Sequence, residues 1–412
     1  MPQNFLVGLD VGSSTVKAAI AEVKGNKLAL LKILKMPSRG MRKGVVDDVV
    51  EVTGAVNQVL SEVKKDYHNA HKNIFLNTGS AQIRVQQSRG IVAVSRADYE
   101  ICHDDMDRVI KASEAVKLPP NRMILHTITR EFVVDGVGEI KDPLGMIGNR
   151  LEANVLLVEA FSPAIKNLSK CVETNGGDIS GLIYGPLASA KSVLSKNQMS
   201  LGTVVVDIGF GTTGMAVYED GKLVHSAIFP FGAGNVTNDL AIGLKTSIET
   251  AEAIKFSFGA AVAKDMPARE MIDLKKIDPR AKGMTARRFV AEIVEIRLAE
   301  IFEHVNNELQ KIEREGKLPG GVVLVGGGAK MPGLPDLVKQ RMRLPAQVGI
   351  PDVSNMEVVS GELALQIEDP EFACALGLLM WGGEKQARLE KGFSFKMPMQ
   401  GAVRKVINYF VP

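Results

Sequence analysis

LDVGSST at residues 9–15 and VDIGFGT at residues 206–212 are two versions of one turn, and their match decides the reading of the chain. In each, an Asp ends an apolar run, a Gly follows two positions later, a small residue four later and a Thr five later. The residues are Asp10, Gly12, Ser14 and Thr15 in one copy and Asp207, Gly209, Gly211 and Thr212 in the other. The flanks repeat as well. An apolar run at 5–10, a returning run at 16–22, a turn near Gly25 and a third run at 28–34 recur as 203–207, 214–218, a turn at Gly221 and 223–229. Short apolar runs punctuated by glycine read as strands, and a motif repeated with its surroundings marks a duplicated unit.

Such a turn suits phosphate. Glycine and small hydroxyl residues let backbone N–H groups approach an anion closely. The Asp at the strand end would repel that anion unless a cation stood between them. Two carboxylates facing across a cleft are placed to hold hydrated Mg²⁺, which keeps several of its waters. One glycine hairpin alone would be ordinary β structure; two matched copies and a third element argue for a ligand. The third element is GVVLVGGGAKMPGL at 321–334, a buried strand running into Gly326, Gly327 and Gly328 and then a helix start. Glycines there permit close approach to a flat base or ribose. No GxxxxGK[ST] loop occurs, and the strand–helix unit of a dinucleotide fingerprint is missing.

Composition sets the outer bounds. The 412 residues are enough for two or three domains, with 45% hydrophobic and 24% charged residues and a net charge of +3. That charge gives no reason to expect a nucleic-acid partner. Cys102, Cys171 and Cys374 lack metal or CxxC spacing, so packing in a reducing cytosol is expected. The N-terminus lacks a secretory pattern and no stretch of about eighteen apolar residues occurs, so a cytoplasmic chain is expected.

The three motifs, in this order, resemble the actin, sugar-kinase and heat-shock-chaperone superfamily. The resemblance implies an α/β, actin-like fold: two ribonuclease-H-like domains around a nucleotide cleft, with ATP and Mg²⁺ as cofactors. It places the phosphates on Gly12, Ser13, Ser14, Thr15 and Lys17 from the first turn and Gly209, Gly211, Thr212 and Thr213 from the second. Gly232 and Gly234 of FPFGAGNVT (229–237) join them. Glu252 and Lys255 of AEAIK (251–255), with Gly326, Gly327, Gly328 and Ala329, would meet the adenosine, and Asp10 and Asp207 would organise the magnesium through water.

Within that superfamily the chain resembles the bacterial cell-division family FtsA. The telling stretch is RMILHTITREFVVDG (122–136) followed by IKDPLGMIGNRLEANVLLV (140–158), which is similar to the subdomain that FtsA inserts into its first half. A helix is expected before it over 97–116, with Ile101, Val109, Ile110 and Val116 facing inward. The division expected is 1–83 and 163–195 for the first domain, 84–162 for the insertion and 196–365 for the second domain. An outer subdomain covers about 230–300, the chain returns to the first domain over 366–391, a linker spans 392–400, and a terminal helix spans 401–412. Two departures stand out. Phe210 occupies a place where many relatives carry glycine. Gly185, in GPLASA (185–190), stands where chaperones and MreB place a Glu that positions the attacking water. No general base can be assigned, so ATP binding with slow hydrolysis or none is expected.

The ending GAVRKVINYFVP sets Val403, Val406, Ile407 and Phe410 at i, i+3, i+4 and i+7, with Arg404 and Lys405 alongside. This reads as a helix lying in an anionic membrane surface, and FtsA proteins end in such a helix. Full burial of four apolar side chains would yield about 6–12 kcal/mol, and the interface buries them only partly. Each cation adds about 1 kcal/mol, against an ordering cost of about 1–2 kcal/mol per residue. Attachment through a single tail is marginal, and a filament would supply several tails at once. The resemblance further implies self-assembly, docking of the C-terminal peptide of the tubulin-like FtsZ and contacts of later division proteins with the insertion. All of these belong at the septum, on the cytoplasmic face of the membrane. Arg280, Lys282, Arg287 and Arg288 are the candidates for an acidic peptide, since Arg pairs well with carboxylates. The alternatives are a PilM-like type IV pilus assembly protein, or an ATP-dependent small-molecule kinase for which no substrate-side Asp motif is evident.

Overall fold

The computed structural model describes residues 4–25, 27–281, 283–390 and 409–410. Phe5–Val11 is buried at every position, as a strand covered on both faces must be. It pairs antiparallel with Thr15–Lys24, which pairs with Lys27–Pro37. On its other side lie Ile74–Thr78 and then Ile179–Tyr184, both parallel. Met356–Val358 adds a parallel edge strand beside Lys27–Pro37. The second half repeats the arrangement: Lys222–Phe229, Thr213–Glu219 and Thr203–Ile208 run antiparallel, and Val322–Val325 and Ala346–Val348 follow in parallel. The duplication read in two turns therefore extends to strand order.

Helices cover these sheets through stripes at helical spacing. Val49–Asp66 buries Val52, Val56, Val59, Leu60 and Val63, and its start is fixed by Asp48, whose carboxylate accepts the N–H groups of Val50 and Glu51. Arg287–Lys311 buries Val290, Val294, Leu298, Ile301, Val305 and Leu309 in the core of the second half. Ala373–Glu390 returns across Phe5–Val11 so closely that a Cβ on Gly8 would lie 2.3 Å from the carbonyl oxygen of Ala375.

Between Ile74–Thr78 and Ile179–Tyr184 the chain leaves to form another sheet, in which Arg150–Phe161 pairs with Arg84–Ala93 on one side and Arg122–Val134 on the other. Its separate core includes Ile101, Val109, Ile110, Phe132, Leu151 and Leu157. The expected helix over 97–116 is shorter, His103–Ser113. Tyr99 adopts φ +58°, which ends helical geometry, and Asp105 binds the N–H groups of Ser95 and Cys102, both at 3.0 Å. Val116 packs against this core from beyond the helix.

The terminal helix expected over 401–412 can be compared at two residues only, because Val403, Arg404, Lys405, Val406 and Ile407 lie outside the described residues. Tyr409 and Phe410 form a short strand parallel to Arg122–Val134, opposite Thr127 and Ile128. Phe410 is therefore not on a helical face here: the open backbone edge of Arg122–Val134 gives it partners that i, i+4 spacing cannot foresee. No helix among the described residues is long and apolar enough to cross a membrane.

Candidate functional site

The two matched turns face one another across a cleft of about 640 Å³, within the size range of small-molecule sites. Each is closed by the same bond, Gly12 N–H to the Thr15 carbonyl at 3.0 Å and Gly209 N–H to the Thr212 carbonyl at 2.9 Å. The turns nearly touch. A Cβ on Gly211 would sit 2.7 Å from Ser13 Oγ, so a side chain there would have to displace the hydroxyl of the opposite half.

Of the phosphate candidates, Gly12, Ser13, Ser14, Thr15, Lys17, Gly209, Gly211 and Thr212 line the cleft. Thr213, Gly232 and Gly234 stand behind it. Thr213 Oγ1 donates to the Phe231 carbonyl at 2.9 Å, a Cβ on Gly232 would meet the Gly209 carbonyl oxygen at 2.4 Å, and one on Gly234 would meet the Phe210 ring. These three hold the second turn in place, while Ala233 between them reaches the cleft.

Asp10 and Asp207 enter the floor of the cleft from the two central strands. Asp10 accepts from Asn77 Nδ2 at 2.7 Å and lies 3.5 Å from Lys17 Nζ; Asp207 accepts from Ser189 Oγ at 2.6 Å. Burial raises the pKa of Asp207, and the charge of Asp10 raises it further against the opposing pull of Ser189 and Lys17. Burial also works against the charge on Lys17, but Asp10, Glu371 and Asp207 outweigh it and hold the ammonium above its usual range. Two repelling carboxylates lining one cleft form a donor set that fits a hydrated divalent cation. Asp10 and Asp207 would hold Mg²⁺ through its waters.

At the other end, Lys255 Nζ donates to Glu252 Oε2 at 2.7 Å and Thr237 Oγ1 at 2.8 Å, and Thr237 in turn donates to Glu252. Burial lowers the pKa of Lys255, against the pull of Glu252. The Phe210 ring lies 5.6 Å from Lys255 Nζ, so the side chain in place of a glycine caps this cation. The glycine triplet splits by role. Gly326, at φ +83°, has no room for a Cβ, which would lie 2.4 Å from Asp207 Oδ1, and Gly328 is pressed against Ile208. Gly327 is left as the open surface of the cleft, with Ala329 buried behind.

Sequence reasoning missed Asn77, Lys35, Lys330 and Glu371, all of which line the cleft. Glu371 Oε1 accepts from Lys35 Nζ at 2.5 Å and its Oε2 from Lys330 Nζ at 3.5 Å, joining the two halves at the back of the cleft. Lys330 was readable, since it closes the GGGAK run; Lys35 stands opposite Lys17 in register, which only the strand pairing reveals.

The described candidates for an acidic peptide each have a carboxylate close by. Arg280 is 85% exposed and held by Asp278, Arg287 is engaged by Glu270 at 3.0 Å, and Arg288 lies 3.7 Å from Glu292. Lys282 lies outside the described residues. In the Cys102–Asp105 segment, Asp105 is fully buried as the hub of a helix cap.

Comparisons with known proteins agree with this architecture. Residues 204–377 match the family model "Cell division protein FtsA", and residues 80–159 match the model of the SHS2 domain inserted in FtsA. The chain is 35% identical over 385 residues to the cell division protein FtsA of Pseudomonas aeruginosa, covering 93% of this chain and 90% of that protein. It is 32% identical over 393 residues to FtsA of Bacillus subtilis, covering 95% and 86%. Among solved structures, the PilM–PilN type IV pilus biogenesis complex aligns with a TM-score of 0.63 at 17% identity, covering 92% of this chain and 98% of that one. MreB5 of Spiroplasma citri bound to ADP aligns at 0.55 and 13%, covering 94% and 98%. At those identities the pilus and MreB likenesses speak for the fold alone. With two facing halves of actin-like build, an inserted SHS2 sheet and near-full-length relatives above 30% identity, the chain belongs to the FtsA family of actin-like cell division proteins.

Proposed function

We propose that the chain binds Mg²⁺-ATP in the cleft and, so loaded, assembles at the cytoplasmic face of the membrane to tether FtsZ filaments at the septum. The observation that carries the nucleotide reading is the pair of turns closed by identical bonds and facing one another over Asp10 and Asp207. Backbone N–H groups of the turns and Lys17 take the phosphates. The magnesium, held through water by Asp10 and Asp207, offsets the negative charge between those carboxylates and the phosphates. The adenosine lies toward Gly327, Glu252 and Lys255. With no carboxylate at Gly185, turnover is slow, and the nucleotide serves mainly to bind the halves together.

The remaining parts of the reading come from the family. The chain's last residues bind the anionic membrane, and Tyr409 and Phe410 leave their place beside Thr127 and Ile128 when they do. Self-assembly supplies many tails at once. The insertion presents Leu144, Met146 and Ile147 to solvent, the last 75% exposed, as a contact for later division proteins. Arg280 and Arg288, the more exposed of the three described candidates, attract the acidic FtsZ peptide together with Arg287 and Lys282.

Co-sedimentation with anionic liposomes in Mg²⁺-ATP tests this, comparing the full chain with one ending at Gln400. The full chain should pellet and carry a soluble FtsZ C-terminal peptide with it, while the truncated chain stays in the supernatant yet still binds nucleotide. If both chains stay in solution, the tethering role fails, whereas the cleft reading stands or falls on nucleotide binding alone.

A further inference from the structure

We propose that Asn77 holds a water at the phosphate end of the cleft, where it faces the terminal phosphate of a bound nucleotide. The inference rests on the nucleotide reading above. The orientation of the Asn77 amide is settled by its neighbour: Asp10 Oδ1 accepts at 2.7 Å, so the atom facing it is the Nδ2 donor. That leaves Oδ1 buried, lining the cleft, with no partner among the described residues. A buried acceptor without a donor is costly, so this atom takes a donor from whatever fills the cleft. Ionised phosphate oxygens only accept hydrogen bonds and cannot serve. Lys17 is engaged on the other oxygen of Asp10, at 3.5 Å. The ribose hydroxyls lie toward Glu252 and Lys255. Water is the donor that remains.

Gly185 supplies an independent observation. A Cβ there would lie 2.6 Å from Asn77 Oδ1, so the amide fills the space a side chain at residue 185 would enter. Asn77 therefore stands where a longer side chain at residue 185 would reach. Its chemical consequence is specific, since an amide oxygen orients a water but does not take its proton. When the water oxygen bonds to the γ-phosphorus and the β,γ-bridging bond breaks, the proton passes to a phosphate oxygen or to solvent. The site positions the nucleophile without activating it.

The test uses the full chain and compares binding of Mg²⁺-ADP with that of Mg²⁺-ADP plus aluminium fluoride, a planar mimic that retains an in-line water. Wild type should bind the fluoride complex at least about ten-fold more tightly than ADP, as complementarity to the transition state requires. Asn77→Ala should lose that extra factor, its affinity falling about ten-fold more for the fluoride complex than for ADP. Asn77→Ser takes its place if melting shows the alanine variant unfolded. Pairing Asn77→Ala with Gly185→Glu, which relieves the clash, should hydrolyse ATP faster than either single variant. Equal weakening of both ligands in Asn77→Ala would reduce Asn77 to a brace for Asp10 and overturn the proposal, as would the absence of any fluoride effect in wild type. A wild type that binds no ADP overturns the nucleotide reading first.

Discussion

The two turns share a sequence pattern and a closing bond, yet they sit in different electrostatic surroundings. Seven residues after each Asp, and opposite it in strand register, the first half has Lys17 and the second has Gly214. Asp10 is therefore answered by an ammonium and an amide, whereas Asp207 has one hydroxyl, from Ser189. The second half has no room for a lysine at that place, because a Cβ on Gly214 would already lie 2.9 Å from Pro186. Position four after the Asp also differs, Ser14 in one turn and Gly211 in the other, with Gly211 pressed against Ser13. Duplication supplied a symmetric scaffold, and the chemistry was divided between the copies: the cation stands in the first half, and the carboxylate whose charge burial opposes stands in the second.

Removing the cation should have the largest effect. Lys17→Met deletes the positive charge of the cleft floor and leaves Asp10 with the Asn77 amide alone. ATP affinity should fall by about 3 kcal/mol, the upper end for a hydrogen bond to a charged group, or about a hundred-fold. Titration with a fluorescent ATP analogue would measure this, and a change under two-fold would mean that the phosphates lie elsewhere. Making the turns alike should cost less. Gly211→Ser drives a side chain into Ser13, and the strain of overpacking should weaken nucleotide by about 1–2 kcal/mol. The converse, Ser14→Gly, meets no such neighbour and should leave affinity unchanged within about two-fold. Equal effects of these two substitutions would contradict the asymmetry.

How far this was readable in the sequence follows from what each feature depends on. Both turns and the glycine run are local patterns, so the fold and the first ring of site residues were legible in LDVGSST, VDIGFGT and GGGAK. Asn77, Lys35 and Glu371 reach the cleft from separate elements and join it only through packing, which a linear motif does not carry. The sequence does not divide the glycine run by role: all three glycines line the cleft, while Gly326 and Gly328 also make room for Asp207 and Ile208. For the basic residues the sequence shows the charges but not their partners, the carboxylates beside Arg280 and Arg287. The tail shows a third limit. Helical spacing was correctly counted, but Tyr409 and Phe410 lie along a strand edge supplied by residues nearly three hundred positions earlier.

The smallest effect should separate the two carboxylates by their dependence on pH. Burial, with the charge of Asp10 added, raises the pKa of Asp207 in the folded protein. The folded state therefore binds this proton more tightly than the unfolded state does. The contribution of Asp207 to stability without ligand should be greatest below the ordinary Asp value and decline as pH rises through the raised one. Asp207→Asn removes that decline, so the nucleotide-free variant should melt above wild type at neutral pH and match it more closely under acid. The order reverses once ligand is present. A divalent cation needs the ionised carboxylate, so Mg²⁺-ATP should stabilise wild type by about 2.7 kcal/mol at a hundred-fold excess over Kd. That gain should shrink on acidification, as Asp207 takes up its proton earlier than an ordinary carboxylate would. In Asp207→Asn the stabilisation by ATP should be nearly the same in Mg²⁺ and in EDTA, at every pH. Melting curves of the two proteins, with and without Mg²⁺-ATP across the acid range, give all four comparisons. A nucleotide-free difference between Asp207→Asn and wild type that stays the same at every pH across that range would show that burial does not oppose the Asp207 charge in the empty cleft. The division of labour between the two turns would then have to rest on Lys17 alone.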